Sequence, residues 1–273
     1  MLRTNRRGRH SVAIVMVTGA VLMPVNLAGA QSSGDEFHWQ GAVESGRTVI
    51  VRNLNGGVRV ERGSGDNVVI DARKKWRRGD PSAVRIEALA MSNGDILACA
   101  LWNEDARCDE DGYHNGSRRG RNDRSNDVSV EFVVLVPERV KLDMNTVNGD
   151  LRITGATAAV DAHTVNGSID ASSMGGPVRA ETVNGSVRAE MGNSGTDDLS
   201  YSTVNGSITV IVPNPLSADL RMETVNGTIE SDFPLTVSGR INPRHVRATV
   251  GEGGRRVSLK TVNGSIKLRQ GGL

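Results

Sequence analysis

The sequence predicts an all-β chain built mainly as a single-stranded β-solenoid with rungs of about 18–21 residues, preceded by a less regular β region. Three observations carry this. Thr-Val-Asn-Gly occurs six times, at residues 146–149, 164–167, 182–185, 203–206, 224–227 and 261–264. Apolar and polar residues alternate on both sides of each copy, the pattern of a half-buried strand. The 273 residues include 32 glycines but only 3% aromatics, which suits thin stacked sheets better than a bulky core.

Successive copies start 18, 18, 21, 21 and 37 residues apart. A period near twenty is too short for helix-pair repeats and matches one turn of a β-solenoid. The last interval reads as two periods in which one rung has lost its motif. Before the motif, Val140, Leu142 and Met144 alternate with Lys141, Asp143 and Asn145. After it, Leu151 and Ile153 alternate with Arg152, and the pattern recurs at Ile169/Ala171, Val187/Ala189, Ile208/Val210 and Ile266/Leu268. The step from Thr146 to Leu151 is odd, so inward parity switches inside the tetrapeptide, as at a corner. Asn and Gly are expected there because they tolerate left-handed backbone. The corner residues are Asn148, Gly149, Asn166, Gly167, Asn184, Gly185, Asn205, Gly206, Asn226, Gly227, Asn263 and Gly264. The asparagines are expected in one column, bonding the backbone of adjacent rungs. An antiparallel sandwich with Asn-Gly hairpins would not need the same Thr and Val each time. For the repeated valines, Val147, Val165, Val183, Val204, Val225 and Val262, strict alternation gives an outward direction. Burial is nevertheless the expectation, since a buried valine contributes about 1.5 kcal/mol or more.

Three segments follow: a signal peptide over residues 1–30, an N-terminal β region over 31–137 with a polar, disulfide-bearing loop near 99–127, and the repeat solenoid over 138–273. Arg3, Arg6, Arg7 and Arg9 precede an apolar run from Val12 to Val25, and Ala28-Gly29-Ala30 offers a small-x-small cleavage pattern. The run is too short and too interrupted for a retained span, and Gln31 gives no lipid-anchor cysteine. Four of the 33 basic residues and none of the 31 acidic ones lie in that signal, leaving residues 31–273 with a net charge of −2. Charge therefore argues for neither nucleic acid nor an anionic membrane as partner. Strands are expected over 48–52, 57–61, 68–72, 84–90, 95–101 and 128–136. Asn53-Leu54-Asn55-Gly56 reads as a degenerate first corner. Residues 103–127 are polar and read as a mobile loop. Cys99 and Cys108, an even pair in an exported chain, are expected to form a disulfide that pins a local hairpin.

The export signal, the Asn-Leu-Asn-Gly opening, the Val136-Pro137-Glu138-Arg139-Val140 entry and the repeated Thr-Val-Asn-Gly-Ser-Ile resemble the bacterial putative-adhesin family, over roughly residues 45–273. The resemblance implies a β-solenoid and a cell-envelope or secreted location. It supplies no catalytic residue.

The residues themselves point to no catalytic, metal or cofactor site. After the signal the histidines are His38, His114, His163 and His245, and none sits in a catalytic or metal-binding motif. His163 reads as a solvated outward residue. Outward Asp161, Asp170, Glu181 and Glu230 are interleaved with Arg152, Arg179, Arg188 and Arg221, a pattern of cross-rung ion pairs rather than of a catalytic cleft. Asp109-Glu110-Asp111-Gly112 lacks the spacing and distal Glu of a calcium loop. Arg73-Lys74-Lys75-Trp76-Arg77-Arg78 is the sharpest basic cluster, with an envelope polyanion as its candidate partner against an ordinary strand end. Asn-Gly-Ser/Thr at Asn166, Asn184, Asn205, Asn226 and Asn263 matches glycosylation acceptors, but corner burial is expected to block modification. The function expected is that of an exported, non-enzymatic adhesin or envelope scaffold. Its partner is not named by the sequence, a cell-surface glycan or an envelope protein being the candidates. The alternatives are a polysaccharide-acting β-helix enzyme and a scaffold that assembles end to end through an uncapped last rung, residues 257–268.

Overall fold

A computed structural model describes residues 29–103, 105–109, 112–114, 126–193, 196–237 and 242–271. The expected export signal, apart from its last two residues, lies outside them. Two eleven-stranded sheets face each other, and every rung contributes one strand to each. One sheet carries the strands before each corner: Thr48–Arg52, Lys141–Asn145, Val160–His163, Val178–Glu181, Leu199–Ser202, Arg256–Asn263 and Ala218–Asn226, all parallel. The other carries the strands after it: Val58–Arg62, Leu151–Ala156, Ile169–Ser173, Val187–Met191, Ile208–Val212, Ile266–Gln270 and Ile229–Ser231. The chain is thus the β-solenoid its repeats predict.

Equivalent residues pair in register, so each inward position becomes a column. Leu151, Ile169, Val187, Ile208 and Ile266 form one. Val160 pairs with Val178, and Ala162 with Ala180. These side chains are buried in a single continuous core. Alanines at 162, 171, 180 and 189 line the middle of the stack, and the column of Ala162 and Ala180 continues into the fully buried Tyr201. The three phenylalanines, Phe37, Phe132 and Phe233, are buried toward its two ends, where the regular columns give way to less regular strands.

Antiparallel strands cover both sheets at the N-terminal end and one sheet at the C-terminal end, where the other sheet finishes in the three-residue parallel strand Ile229–Ser231. At the N-terminal end Ser129–Val136 pairs parallel with Val58–Arg62. Asn67–Lys75, Glu36–Ala42 and Gly29–Ser33 then follow outward, each antiparallel to its neighbour. On the facing sheet Ile96–Leu101 runs parallel to Thr48–Arg52, and Arg85–Ala90 closes the edge antiparallel. At the C-terminal end His245–Val250 pairs antiparallel with Ala218–Asn226, and Thr236–Val237 with His245–Val250.

This second cover corrects two expectations. The 37-residue interval contains no rung that lost its motif. After residue 231 the chain leaves the stack, builds the antiparallel cover and returns to place its final rung between the rungs of Thr203 and Thr224. The last rung in sequence is therefore paired on both sides, and an end-to-end scaffold through an uncapped edge of residues 257–268 is excluded. The covers serve a physical need, because an open parallel edge would present unpaired backbone groups.

The polar excursion after Leu101 is more ordered than its composition suggests. Arg107–Asp109 and Gly112–His114 form a small antiparallel pair. Ile50, Leu97, Cys99, Leu101 and Ala106 make a second apolar cluster on the outer side of the sheet, with Met91, Cys108 and Tyr113 against it. Cys99 and Cys108 are disulfide-bonded, their Cα atoms 6.4 Å apart, which pins the small pair to strand Ile96–Leu101. Residues 110–111 of the rejected calcium motif and 115–125 lie outside the described residues. The intact mass of the unreduced chain is expected to be two hydrogens below that of the reduced chain, and thiol alkylation without reductant is expected to add no mass. Free alkylation of both cysteines would contradict the bridge.

Candidate functional site

The repeated corner is the most regular surface of the molecule, and each of its residues has a separate task. The alternation Leu142, Met144, Thr146 continues inward through the threonine, so the repeated threonines are buried. A buried hydroxyl needs a partner. Each finds the glycine carbonyl of the neighbouring rung: Thr146 donates to Gly56 O (2.9 Å), Thr164 to Gly149 O (3.0 Å), Thr182 to Gly167 O (2.8 Å) and Thr203 to Gly185 O (2.8 Å). Thr261 donates to Gly206 O (2.8 Å) and Thr224 to Gly264 O (2.9 Å), following the spatial rather than the sequence order of the rungs. Asn53 takes the threonine role in the degenerate first copy, its amide donating to Gly56 O and Val130 O.

The glycine is required by closeness, not by handedness. A Cβ on Gly167 would stand 2.0 Å from Gly149 O, and one on Gly185 2.0 Å from Gly167 O. Of the corner glycines only Gly56, in the first copy, has positive φ. The expectation of left-handed corners is thereby corrected: neighbouring rungs pack backbone on backbone, and any side chain would separate them.

The asparagines stand in one column, as expected, but bond differently. Their side-chain amides join to each other: Asn148 Nδ2 donates to Asn55 Oδ1 (2.7 Å), and Asn166, Asn184, Asn205, Asn263 and Asn226 follow in a chain of amide-to-amide bonds of 2.8 Å along the stack. The backbone of the same residues is paired independently, with Asn166 N–H on Val147 O and Gly167 N–H on Asn184 O. The asparagines are exposed, so the expected burial at the glycosylation triplets is corrected too: the amide is occupied by its ladder rather than hidden. A further column went unread in the sequence, although the Asn-Gly-Ser/Thr recurrence signalled it. The Ser168 hydroxyl accepts from Ser186 N–H (3.2 Å), Ser186 from Ser207 N–H (3.2 Å) and Ser207 from Ser265 N–H (3.2 Å).

The valines overturn the expectation of burial. Val165, Val183, Val204, Val225 and Val262 are 38–53% exposed, and Val147 is half-buried. Strict alternation holds through the motif, with Thr in and Val out, and the parity switch falls later, at Asn-Gly. The edge therefore shows an apolar rib of valines beside a rib of amides, with a hydroxyl column beyond the glycines. This rib is the candidate interaction surface, since contiguous exposed apolar patches on soluble proteins tend to mark such sites.

The other candidate surfaces are internally matched. Arg179 lies 3.9 Å from Asp161 and Arg188 3.9 Å from Asp170, the cross-rung pairs the sequence implied. His163 is half-exposed, 3.8 Å from Glu181. A basin of about 770 Å³ on the outer face of the N-terminal cover is lined by Glu36, His38, Asp71 and Glu131 together with Arg59, Arg73 and Lys75. Within it Arg73 pairs with Glu36 and His38 with Asp71, both at 2.6 Å. In the basic cluster, Lys74 Nζ donates to Pro81 O. The backbone N–H groups of Arg77, Arg78 and Gly79 converge on the Asp127 carboxylate. The Gly79 N–H foremost holds that carboxyl below its ordinary pKa. The anion seat of this loop is thus taken by the chain's own Asp127. No group of three or more metal-ligating side chains with suitable placement occurs among the described residues.

Two substitution pairs test the corner. Gly185→Ala forces a methyl into the Gly167 carbonyl and is expected to cost about 3 kcal/mol or more, whereas Gly65→Ala, with open space around it, leaves the melting temperature unchanged. Thr182→Val keeps the shape but strips a buried carbonyl of its donor, an expected loss of about 1 kcal/mol. Val183→Thr on the exposed rib is expected to stay within about 0.5 kcal/mol of the parent. Thermal unfolding of the four variants reads all of these differences.

No curated protein sequence matches the chain. Among solved structures, a putative cell adhesion protein from Clostridium sporogenes ATCC 15579 aligns with 86% of this chain and 99% of its own, at 11% identity and a TM-score of 0.47. A putative adhesin from Bacteroides fragilis NCTC 9343 aligns with 88% of this chain and 100% of its own, at 13% identity and a TM-score of 0.34. The Toastrack DUF4097 family matches residues 47–269, from the first strand of the first rung through nearly all of the last. With its parallel rungs and stacked corners, the chain belongs to the Toastrack DUF4097 family.

Proposed function

We propose that this chain is an exported, non-enzymatic protein of the cell envelope or its surroundings that binds a partner through the Val/Asn edge of its solenoid. The observation that carries the reading is the exposed valine rib. Thr, Asn, Gly and Ser each have a structural task at the corner. Valine lies outside the core and is 38–53% exposed in five of the six copies, yet it recurs in all six. The arginine-rich and apolar segment before Gln31 supports export. Among the described residues no helix is long and apolar enough to cross a membrane. The carboxylates that a polysaccharide-cleaving site would need are spread along the outer faces, and most of them face a basic partner. That supports a binding role over the enzymatic alternative.

The test is attachment of the fluorescently labelled mature chain to isolated bacterial cell envelopes, compared with the triple variant Val165→Ser, Val183→Ser, Val204→Ser. The variant is expected to keep its melting temperature and to lose most of its attachment. Equal attachment by parent and variant would sink the assignment of the edge.

A further inference from the structure

The edge described above also defines the chemistry of what it can hold. This step rests on the binding role proposed for it. Three features of the surface act together. First, the ribs are uncharged over six rungs: valine, asparagine and serine or threonine, with Asp150 the single carboxylate, at the rung next to the first copy. The ionisable groups that flank the valines two residues earlier pair with each other across rungs, His163 with Glu181 and Lys260 with Glu223. A polyanion or polycation would therefore lose its hydration there and meet no row of counter-charge.

Second, the ladders leave unused hydrogen-bonding capacity that faces outward. Each linked amide spends one N–H and one lone pair on its neighbours, while an asparagine has two N–H groups and an oxygen with two lone pairs. Each serine hydroxyl accepts from the next rung's backbone, which leaves its own proton to donate. Third, both sets repeat with the rung spacing of a β-sheet, about 4.8 Å, beside an apolar rib with the same repeat.

A ligand that uses all three is neutral and straight. It offers a hydroxyl that both donates and accepts at intervals close to one rung, and it has an apolar face to lay on the valines. We infer that the edge binds a neutral, linear, extended β-linked polysaccharide lying along the stack, its ring C–H faces on the valine rib and its hydroxyls on the asparagine and serine columns. A folded protein surface seldom carries donors and acceptors at one fixed repeat. A branched or helical glycan would touch the rib at one or two rungs only. Because the ribs are held by backbone pairing in every rung, the array is ordered before the ligand arrives, which lowers the entropic cost of binding.

The experiment is depletion of the mature, disulfide-bonded chain by microcrystalline cellulose and by colloidal chitin, with cross-linked dextran beads as the branched control and cellohexaose as soluble competitor. Retention on cellulose or chitin but not on dextran is expected, with release by cellohexaose. The Val165→Ser, Val183→Ser, Val204→Ser variant is expected to bind about tenfold more weakly or worse at an unchanged melting temperature. Val183→Arg, which lays a charged arm across the rib without entering the core, is expected to do the same. Failure of the parent chain to be retained by either glycan overturns the assignment, and so does equal retention by both variants. Valine-dependent attachment to cell envelopes without retention on either glycan would overturn the polysaccharide while leaving the adhesive edge in place.

Discussion

The structure depends on the contact between one rung's glycine and the next. A Cβ added to Gly167 would meet the carbonyl oxygen of Gly149 at 2.0 Å, so the two backbones at the corner approach as closely as chains without side chains can. That closeness lets each buried threonine reach a carbonyl one rung away, and each asparagine reach the amide of its neighbour. It also sets the register of the strands on both sides, since a slip of one residue would place threonine outside and valine inside. The inward columns of Leu, Ile, Val and Ala, with their apolar burial, follow from a register that the corner enforces rung by rung. A linear array of this kind draws its stability from repeated neighbour contacts, so a defect in one corner is felt by the two rungs it joins.

The same logic explains the ends. A repeated rung always offers its next neighbour an open parallel edge, and a stack of such rungs would keep growing unless something stopped it. The chain stops it with antiparallel strands on both sheets at one end and on one sheet at the other. There the second sheet is cut short at the three-residue strand Ile229–Ser231, and both covers depart from the repeat. Phe37, Trp39 and Phe132 are buried at one end and Phe233 at the other. The phenylalanines are gathered where the regular columns cannot fill the space, whereas Tyr201 is buried within a column, between Ala180 and Leu259. At the C-terminal end the cover is built before the last rung is laid down, which is why the stack and the sequence run in different orders there.

An edge held this rigidly is a natural place for recognition, because its groups are already ordered. Ion-paired outer faces and a basic loop whose backbone is taken up by Asp127 offer a ligand less. The corner combines exposed apolar surface with unspent hydrogen-bonding groups at one repeat, and it does so with residues whose remaining partners are all internal.

The rungs, their parallel stacking, the asparagine column, the disulfide and the degenerate first copy at Asn53-Leu54-Asn55-Gly56 were all legible in the residue order. Each is either local alternation or identity at a fixed offset, and both are visible in one dimension. Three matters were settled only by the folded chain. The direction of the valines depends on whether the parity switch precedes or follows them, and Asn-Gly marks a corner without saying on which side of it the turn falls. The reason for glycine lay in a neighbour one rung away, whereas its presence invited a local explanation in backbone handedness. The place of the last rung depended on a detour through His245–Val250, whose antiparallel pairing with Ala218–Asn226 leaves no periodic trace. Repetition in sequence specifies what a rung is, but the order in which rungs meet rests on pairing between segments far apart in the chain, as where the last rung pairs with both Leu199–Ser202 and Ala218–Asn226.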